Sequence, residues 1–188
     1  MSREYNNLQK KVANYMEVLD NTRLYRETWK NNLKDFIVNQ LRSISESVGL
    51  KATVDIKTDL ENLEAIVFSL GTVQSGMYQS VNDSIKRHMI KHNGSLIYQQ
   101  LFNGKVVVII NYPFIENYGE PFPPKTIGIY RPEELKEPFF VRHLEEFITE
   151  IYHWEDYDDD ERPGAEPNQK IGFRLNFEKE SPLISQSD

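Results

Sequence analysis

The chain has 188 residues, 39% of them hydrophobic and 12% aromatic. That is enough for one domain with a real core, with or without arms, and too rich in Phe, Tyr, Ile and Val for a disordered chain. There is no cysteine, which excludes a disulfide framework, a thiolate metal site and a cysteine nucleophile. The net charge is −7, and six carboxylates between Glu155 and Glu161 account for all but one unit of it. No large basic field remains, so the expectation is no nucleic acid among the partners. The N-terminal residues lack the apolar stretch of a secretory signal, and no apolar run approaches the ~20 residues of a membrane span. The expectation is therefore a soluble, cytoplasmic chain with no membrane partner.

Residues 3–20 read as a helix, because Leu8, Val12, Tyr15, Met16 and Leu19 recur at spacings of three and four. Asp20-Asn21-Thr22 supplies side-chain oxygens of the capping type, so a break is expected there. A longer helix follows from about Arg23 to Ser47, with Trp29, Leu33, Ile37, Leu41, Ile44 and Val48 on one stripe, widened by Phe36, and Gly49 as its stop. The first 20 residues form a helical arm. Its apolar stripe either covers the chain's own sheet or packs on a second copy, which makes a homodimer one of the expectations.

Leu50–Lys57 alternates, with Ala52, Val54 and Ile56 on one face, as a half-buried strand does. Leu63–Leu70 is a second, mostly apolar strand ended by Gly71. The stretch from Gly71 to Gly76 has the glycine spacing of a phosphate loop. Met77 and Tyr78 stand where the lysine and the Ser/Thr belong, so it is read as a polar loop and not a nucleotide site. Residues 80–92 carry Val81, Ile85 and Met89 at helical spacing and predict a short helix. The strongest local signal comes next. Two strand-like runs, Ser95–Leu101 and Val106–Tyr112, flank Asn103-Gly104, which predicts a hairpin with a type I′ turn. Val106–Ile110 is five β-branched residues in a row and belongs inside a sheet.

The segment after Tyr112 contains four prolines and a glycine among Phe114, Tyr118 and Phe122 and reads as a long irregular loop. Thr126–Tyr130 is a short strand with Ile127 and Ile129 facing inward. A last helix starts at Pro138 and runs to about Trp154 on a stripe of Phe140, Leu144, Phe147, Ile148 and Ile151. The acidic cluster follows, then a Pro- and Gly-containing linker. Ile171, Phe173, Leu175 and Phe177 alternate as an edge or exchanged strand over 171–177. The expected fold is α+β and two-layered, an antiparallel β-meander of about five strands covered by long N-terminal and C-terminal helices. It spans residues 1–154 as a single domain, and 155–188 form an acidic linker and tail.

Several constellations could carry chemistry. His143, Glu146, Glu150 and His153 share one face of the last helix and are competent ligands for zinc or iron. A di-iron site would need a second Glu-x-x-His, which the chain lacks, and a charged helix face is ordinarily just solvated. His88 and His92 are four apart, but Met89 occupies the position where a zincin has its glutamate. Asp156, Asp158 and Asp160 open like a calcium loop, yet Glu161 replaces the glycine and Pro167 the last glutamate. No G-x-S-x-G elbow is present.

The remaining set is aromatic: Tyr112, Phe114, Tyr118, Phe122, Tyr130, Tyr152, Trp154 and Tyr157. Such rings suit a recognition surface or plug the end of a core. The expected binding residues are Tyr112, Phe114, Tyr118, Phe122, Tyr152 and Trp154. The element order is also loosely similar to that of small acidic secretion chaperones, dimeric α/β proteins that hold unfolded partners. That resemblance rests on no residue motif. The sequence thus points to a non-enzymatic binding, adaptor or chaperone-like domain with a protein partner and no cofactor. The alternatives are a small metal-dependent, hydrolase-like enzyme using His143, Glu146, Glu150 and His153, or a small-molecule sensor.

Overall fold

A computed structural model of the chain describes residues 3–82 and 85–156. The acidic segment from Tyr157 onward and the expected strand over 171–177 lie outside these residues. The first element is a helix of unusual length: α1 (Arg3–Thr28), a π-helical turn (Trp29–Leu33) and α2 (Lys34–Ser47) run on without a gap. The expected break at Asp20-Asn21-Thr22 does not occur. Thr22 spends its hydroxyl on the carbonyl of Val18 one turn back, 2.9 Å away, and so does not cap a new helix.

The π turn has a packing reason. A four-residue step along an α-helix overshoots a full turn by about 40°. Trp29, Leu33, Ile37 and Leu41 are successive four-residue steps, and all four are buried. A wider turn at the start of that run takes up part of the overshoot and keeps the stripe on the sheet. Gly49, at φ 69°, ends α2 as expected, with Leu50 N–H donating to the Ser45 carbonyl at 2.9 Å.

Among the described residues eight strands follow: β1 (Thr53–Lys57), β2 (Ala65–Ser69), β3 (Thr72–Asn82), β4 (Ile85–His92), β5 (Ser95–Gln100), β6 (Val106–Asn111), β7 (Phe114–Ile115) and β8 (Lys125–Tyr130). They form two antiparallel sheets, a five-stranded one ordered β1-β2-β5-β6-β8 and a three-stranded one ordered β3-β4-β7. The fold is α+β. The five-stranded sheet is as expected, with β6 inside it. The second sheet is not.

Of the stretch expected as a helix, the described residues 80–82 and 85–92 are strand, and Gly71–Gly76 is mostly strand and not loop. β3 and β4 make a long hairpin ribbon that leaves the main sheet between β2 and β5. The reason is legible only in three dimensions. Gly76, at φ 79°, sits in a bulge between the Gln74 and Tyr78 pairings. There the Ser75 hydroxyl donates to the Met89 carbonyl across the ribbon at 2.8 Å. A glycine in a strand marks such a bulge as readily as it marks a loop.

The core lies on one face of the five-stranded sheet. Ile66, Tyr98 and Val108 are cross-strand neighbours, as are Phe68, Leu96 and Ile110. All six are buried and pack with Trp29, Leu33, Ile37 and Leu41 of the long helix and with Phe140, Leu144, Phe147 and Ile151 of α3 (Glu137–Glu155). Glu64 ties the helix to the sheet by accepting from Trp29 Nε1 at 3.0 Å and Lys34 Nζ at 2.9 Å. Burial pushes its carboxyl up, but those two donors and the lysine charge outweigh it and hold the pKa below the usual range.

Two expected inward residues point elsewhere. Ile129 is 57% exposed because a bulge at Ile127, opposite the step from Val108 to Ile109, shifts β8 by one residue between Thr126 and Gly128, so that Ile127 and Tyr130 reach the core instead. Ile148 of α3 is also exposed, and His143 is buried in its stead.

The hairpin at Asn103-Gly104 is present, but its turn is not type I′. Gly104 N–H donates to the Leu101 carbonyl at 2.8 Å, and Gly104 alone has a positive φ, 76°, whereas Asn103 does not. A longer loop with one left-handed glycine is selected by the helix above it. A Cβ on Gly104 would lie 2.7 Å from Tyr25 Cβ and 3.0 Å from the Thr22 carbonyl oxygen. Gly104→Ala is accordingly expected to destabilise the domain by about 2 kcal/mol in a urea melt, combining the left-handed backbone with a backbone clash. An unchanged midpoint would show that the loop yields freely.

Candidate functional site

The Pro-rich segment after β6 is ordered by the ribbon. β7 pairs with β4, placing Phe114 opposite His92 and Ile115 opposite Lys91. Glu116 N–H donates to the Ile90 carbonyl at 2.9 Å. Asn117, at φ 60°, turns the chain back so that Tyr118 N–H reaches the Ile115 carbonyl at 3.1 Å. The Phe114 ring stacks on the His92 imidazole, centroids 4.3 Å apart and 6° from parallel. His92 Nε2 lies 3.3 Å from Glu116. Farther on, Phe122 meets Tyr112 edge to face at 5.7 Å.

The end of α3 closes this group. Pro113, Phe114, Ile115, Tyr118, Phe122 and Trp154 line a cleft of about 20 Å³. That is room for one water-sized guest. Lys91 stands beside it with Nζ 5.6 Å from the Trp154 ring centre and 2.5 Å from the Glu155 carboxylate. Of the six expected binding residues, Phe114, Tyr118, Phe122 and Trp154 meet at the cleft, and Tyr112 joins through Phe122. Tyr152 does not. Two residues from Trp154 is more than half a turn of helix, and Tyr152 is 59% exposed with its hydroxyl on Asp156 at 3.1 Å.

The four residues weighed as metal ligands part company. His143 is 1% exposed and spans two tyrosines: Nδ1 is 2.9 Å from the Tyr98 hydroxyl and Nε2 is 3.1 Å from the Tyr130 hydroxyl. Burial pushes its pKa down to about 4, and the imidazole is neutral near pH 7. Glu146 and Glu150 share the Lys125 ammonium at 2.9 and 2.8 Å, and Glu150 also accepts from the Tyr112 hydroxyl at 2.7 Å. These bonds, first to Glu150 and then to Glu146, hold the Lys125 pKa far above its ordinary value. For Glu150, burial acts upward but is outweighed by Lys125 and Tyr112, so its pKa lies low. His153 lies on the exposed side beside Tyr152.

Among the described residues no group of three or more His, Asp or Glu side chains is gathered as a metal ion requires. Neither Lys125 nor Glu150 is poised to exchange a proton near neutral pH, as a general acid or base would be. His88 and His92 lie on a strand, where four residues span about 13 Å, too far for one ion. Each has a ring neighbour instead, Tyr78 at 4.4 Å and Phe114 at 4.3 Å.

Sequence reasoning missed Tyr98 and Lys125, the partners that give His143 and the Glu146/Glu150 pair their setting. It also missed Lys91 and Pro113 at the cleft. Tyr98 carried a signal, since an inward-facing tyrosine in a buried strand needs a partner for its hydroxyl. Lys125 carried none.

Comparison with family models, with curated proteins and with solved structures found no match for this chain. Among the described residues no helix is long and apolar enough to cross a membrane.

Proposed function

We propose that the chain is a non-enzymatic binding domain of adaptor or chaperone-like type that takes a protein partner at the aromatic cleft. The observation that carries this reading is the meeting of Phe114, Tyr118 and Phe122 with Trp154. They come from two segments far apart in sequence and leave their rings half-buried around one small cleft. A pocket for a metabolite runs to roughly 300–1,000 Å³. A cleft of about 20 Å³ instead suits the tip of one side chain from a larger partner, seated between aromatic walls. Lys91 on the rim is paired with Glu155 and stands 5.6 Å from the Trp154 ring centre, which helps fix the wall of the cleft. Lack of cysteine is consistent with work in a reducing compartment such as the cytoplasm.

Affinity capture with the wild-type chain and two variants tests the reading. Trp154→Ala is expected to weaken partner retention at least tenfold, equivalent to about 1.4 kcal/mol or more. Tyr152→Ala, outside the cleft, is expected to retain the partner as the wild type does. Equal retention by all three would remove the cleft as the binding site.

A further inference from the structure

The first turns of α1 overhang the domain. Every residue from 5 to 20 is exposed, a length of about 24 Å at the rise of an α-helix. Within it Tyr5, Leu8, Val12, Tyr15 and Leu19 repeat at spacings of 3, 4, 3 and 4, and they are 61%, 56%, 50%, 62% and 47% exposed. The same count continued along the helix passes Thr22 and Arg26 and arrives at Trp29, which is buried in the core. At about 100° per residue Leu19 lies roughly 80° round the helix from Trp29, so the overhang carries an apolar stripe of its own, set beside the core-facing one and exposed along its length. The handover point is Arg26, whose guanidinium donates to the Phe102 carbonyl of the hairpin turn at 2.6 Å.

We infer that this stripe is the contact by which the chain pairs with a second copy of itself, helix against helix. Three observations select that occupant. The alternation of three and four is the spacing of a coiled-coil seam, which is filled by a helix of the same repeat, and this helix is one. From Tyr5 to Leu19 the seam positions carry no charge, so identical stripes meet without like-charge repulsion. The area is also sufficient. With Met16, 56% exposed beside the seam, six side chains each offer on the order of 100 Å², and two copies would bury roughly 1,200 Å². That reaches the lower range of specific interfaces. Two heptads are short for an isolated coiled coil. Here the helix is already nucleated by the long segment packed on the sheet, so the partner has only to cover the stripe.

The inference does not rest on the aromatic cleft, and its test reads mass instead of partner capture. Sedimentation of the full chain at about 100 µM is expected to give a dimer. Leu8→Glu with Val12→Glu is expected to give a monomer that keeps the near-UV circular dichroism of the folded body, because neither side chain packs within one copy. Leu8→Ile with Val12→Ile is expected to remain dimeric. Tyr15→Lys with Leu19→Lys repeats the test should the first pair fold poorly. A monomeric wild type, or dimers that persist in both charged variants, would overturn the inference.

Discussion

Replacing Phe140 with alanine is expected to destabilise the domain by about 3–5 kcal/mol, the largest single-residue effect proposed for this protein. Phe140 is fully buried at the junction of three elements. Its ring meets Phe36 of α2 edge to face at 5.6 Å and Tyr98 of β5 at 5.8 Å. Truncation removes the ring's transfer free energy and leaves a void between two helices and a sheet that cannot all close in at once. Tyr98 also loses a neighbour that helps hold its hydroxyl on His143. Urea denaturation of the single variant, read against Phe140→Leu, measures the effect. Leucine fills part of the void and should restore more than half of the loss. A cost under about 1 kcal/mol would mean that the three elements are not packed on this ring.

Acidification should act through His143. Its folded pKa is about 4 against an ordinary value of 6.5, so between those values the unfolded chain binds the proton that the folded chain excludes. Stability from this residue is fully present above about pH 6.5 and is lost as the pH falls toward 4. The loss is about 3 kcal/mol at 1.36 kcal/mol per pH unit. The surroundings agree with that sign. Tyr98 and Tyr130 face the two ring nitrogens, and the Phe139 ring lies beside the imidazole, tilted by 55° with centroids 6.0 Å apart. Glu146 and Arg142 on α3 act on it in opposite directions. A neutral ring donates from one nitrogen and accepts at the other, matching two hydroxyls that can each do either. Stability measured from pH 7.5 to 4 should fall for the wild type. It should fall by about 3 kcal/mol less for His143→Gln, which is already destabilised at neutral pH. Parallel curves would rule out His143 as the acid-sensitive group.

Where the sequence was readable, one rule sufficed. Val106–Ile110 declares an interior strand because five β-branched residues have no solvated side. Phe140, Leu144, Phe147 and Ile151 declare a helix face because they follow its period. Where two readings of equal local merit competed, the contacts decided. Met89 fits a helical stripe with Val81 and Ile85, yet it lies in a ribbon, where it is 5% exposed beneath a bulge. His143 and Ile148 flank the α3 stripe on opposite sides. Hydrophobicity alone buries the isoleucine, whereas the hydroxyls of Tyr98 and Tyr130 lie on the histidine's side and bury it instead.

The aromatic loop shows the same division. Its rings and prolines mark it in the sequence as unusual, and Trp154 is marked as well. Their meeting depends on β7 joining a ribbon that local patterning had read as helix, and no periodicity foretells that. What the amino-acid order determined by itself is each segment's apolar face, together with the strands and helices that have only one such face. What only the tertiary structure decided is which polar side chains are buried together, how far the sheet extends beneath the long helix, and so which stretch of that helix is left uncovered. The reason is that burial is a property of pairs. A stripe states what must leave water, while its cover is supplied by residues whose own sequence neighbours say nothing about it.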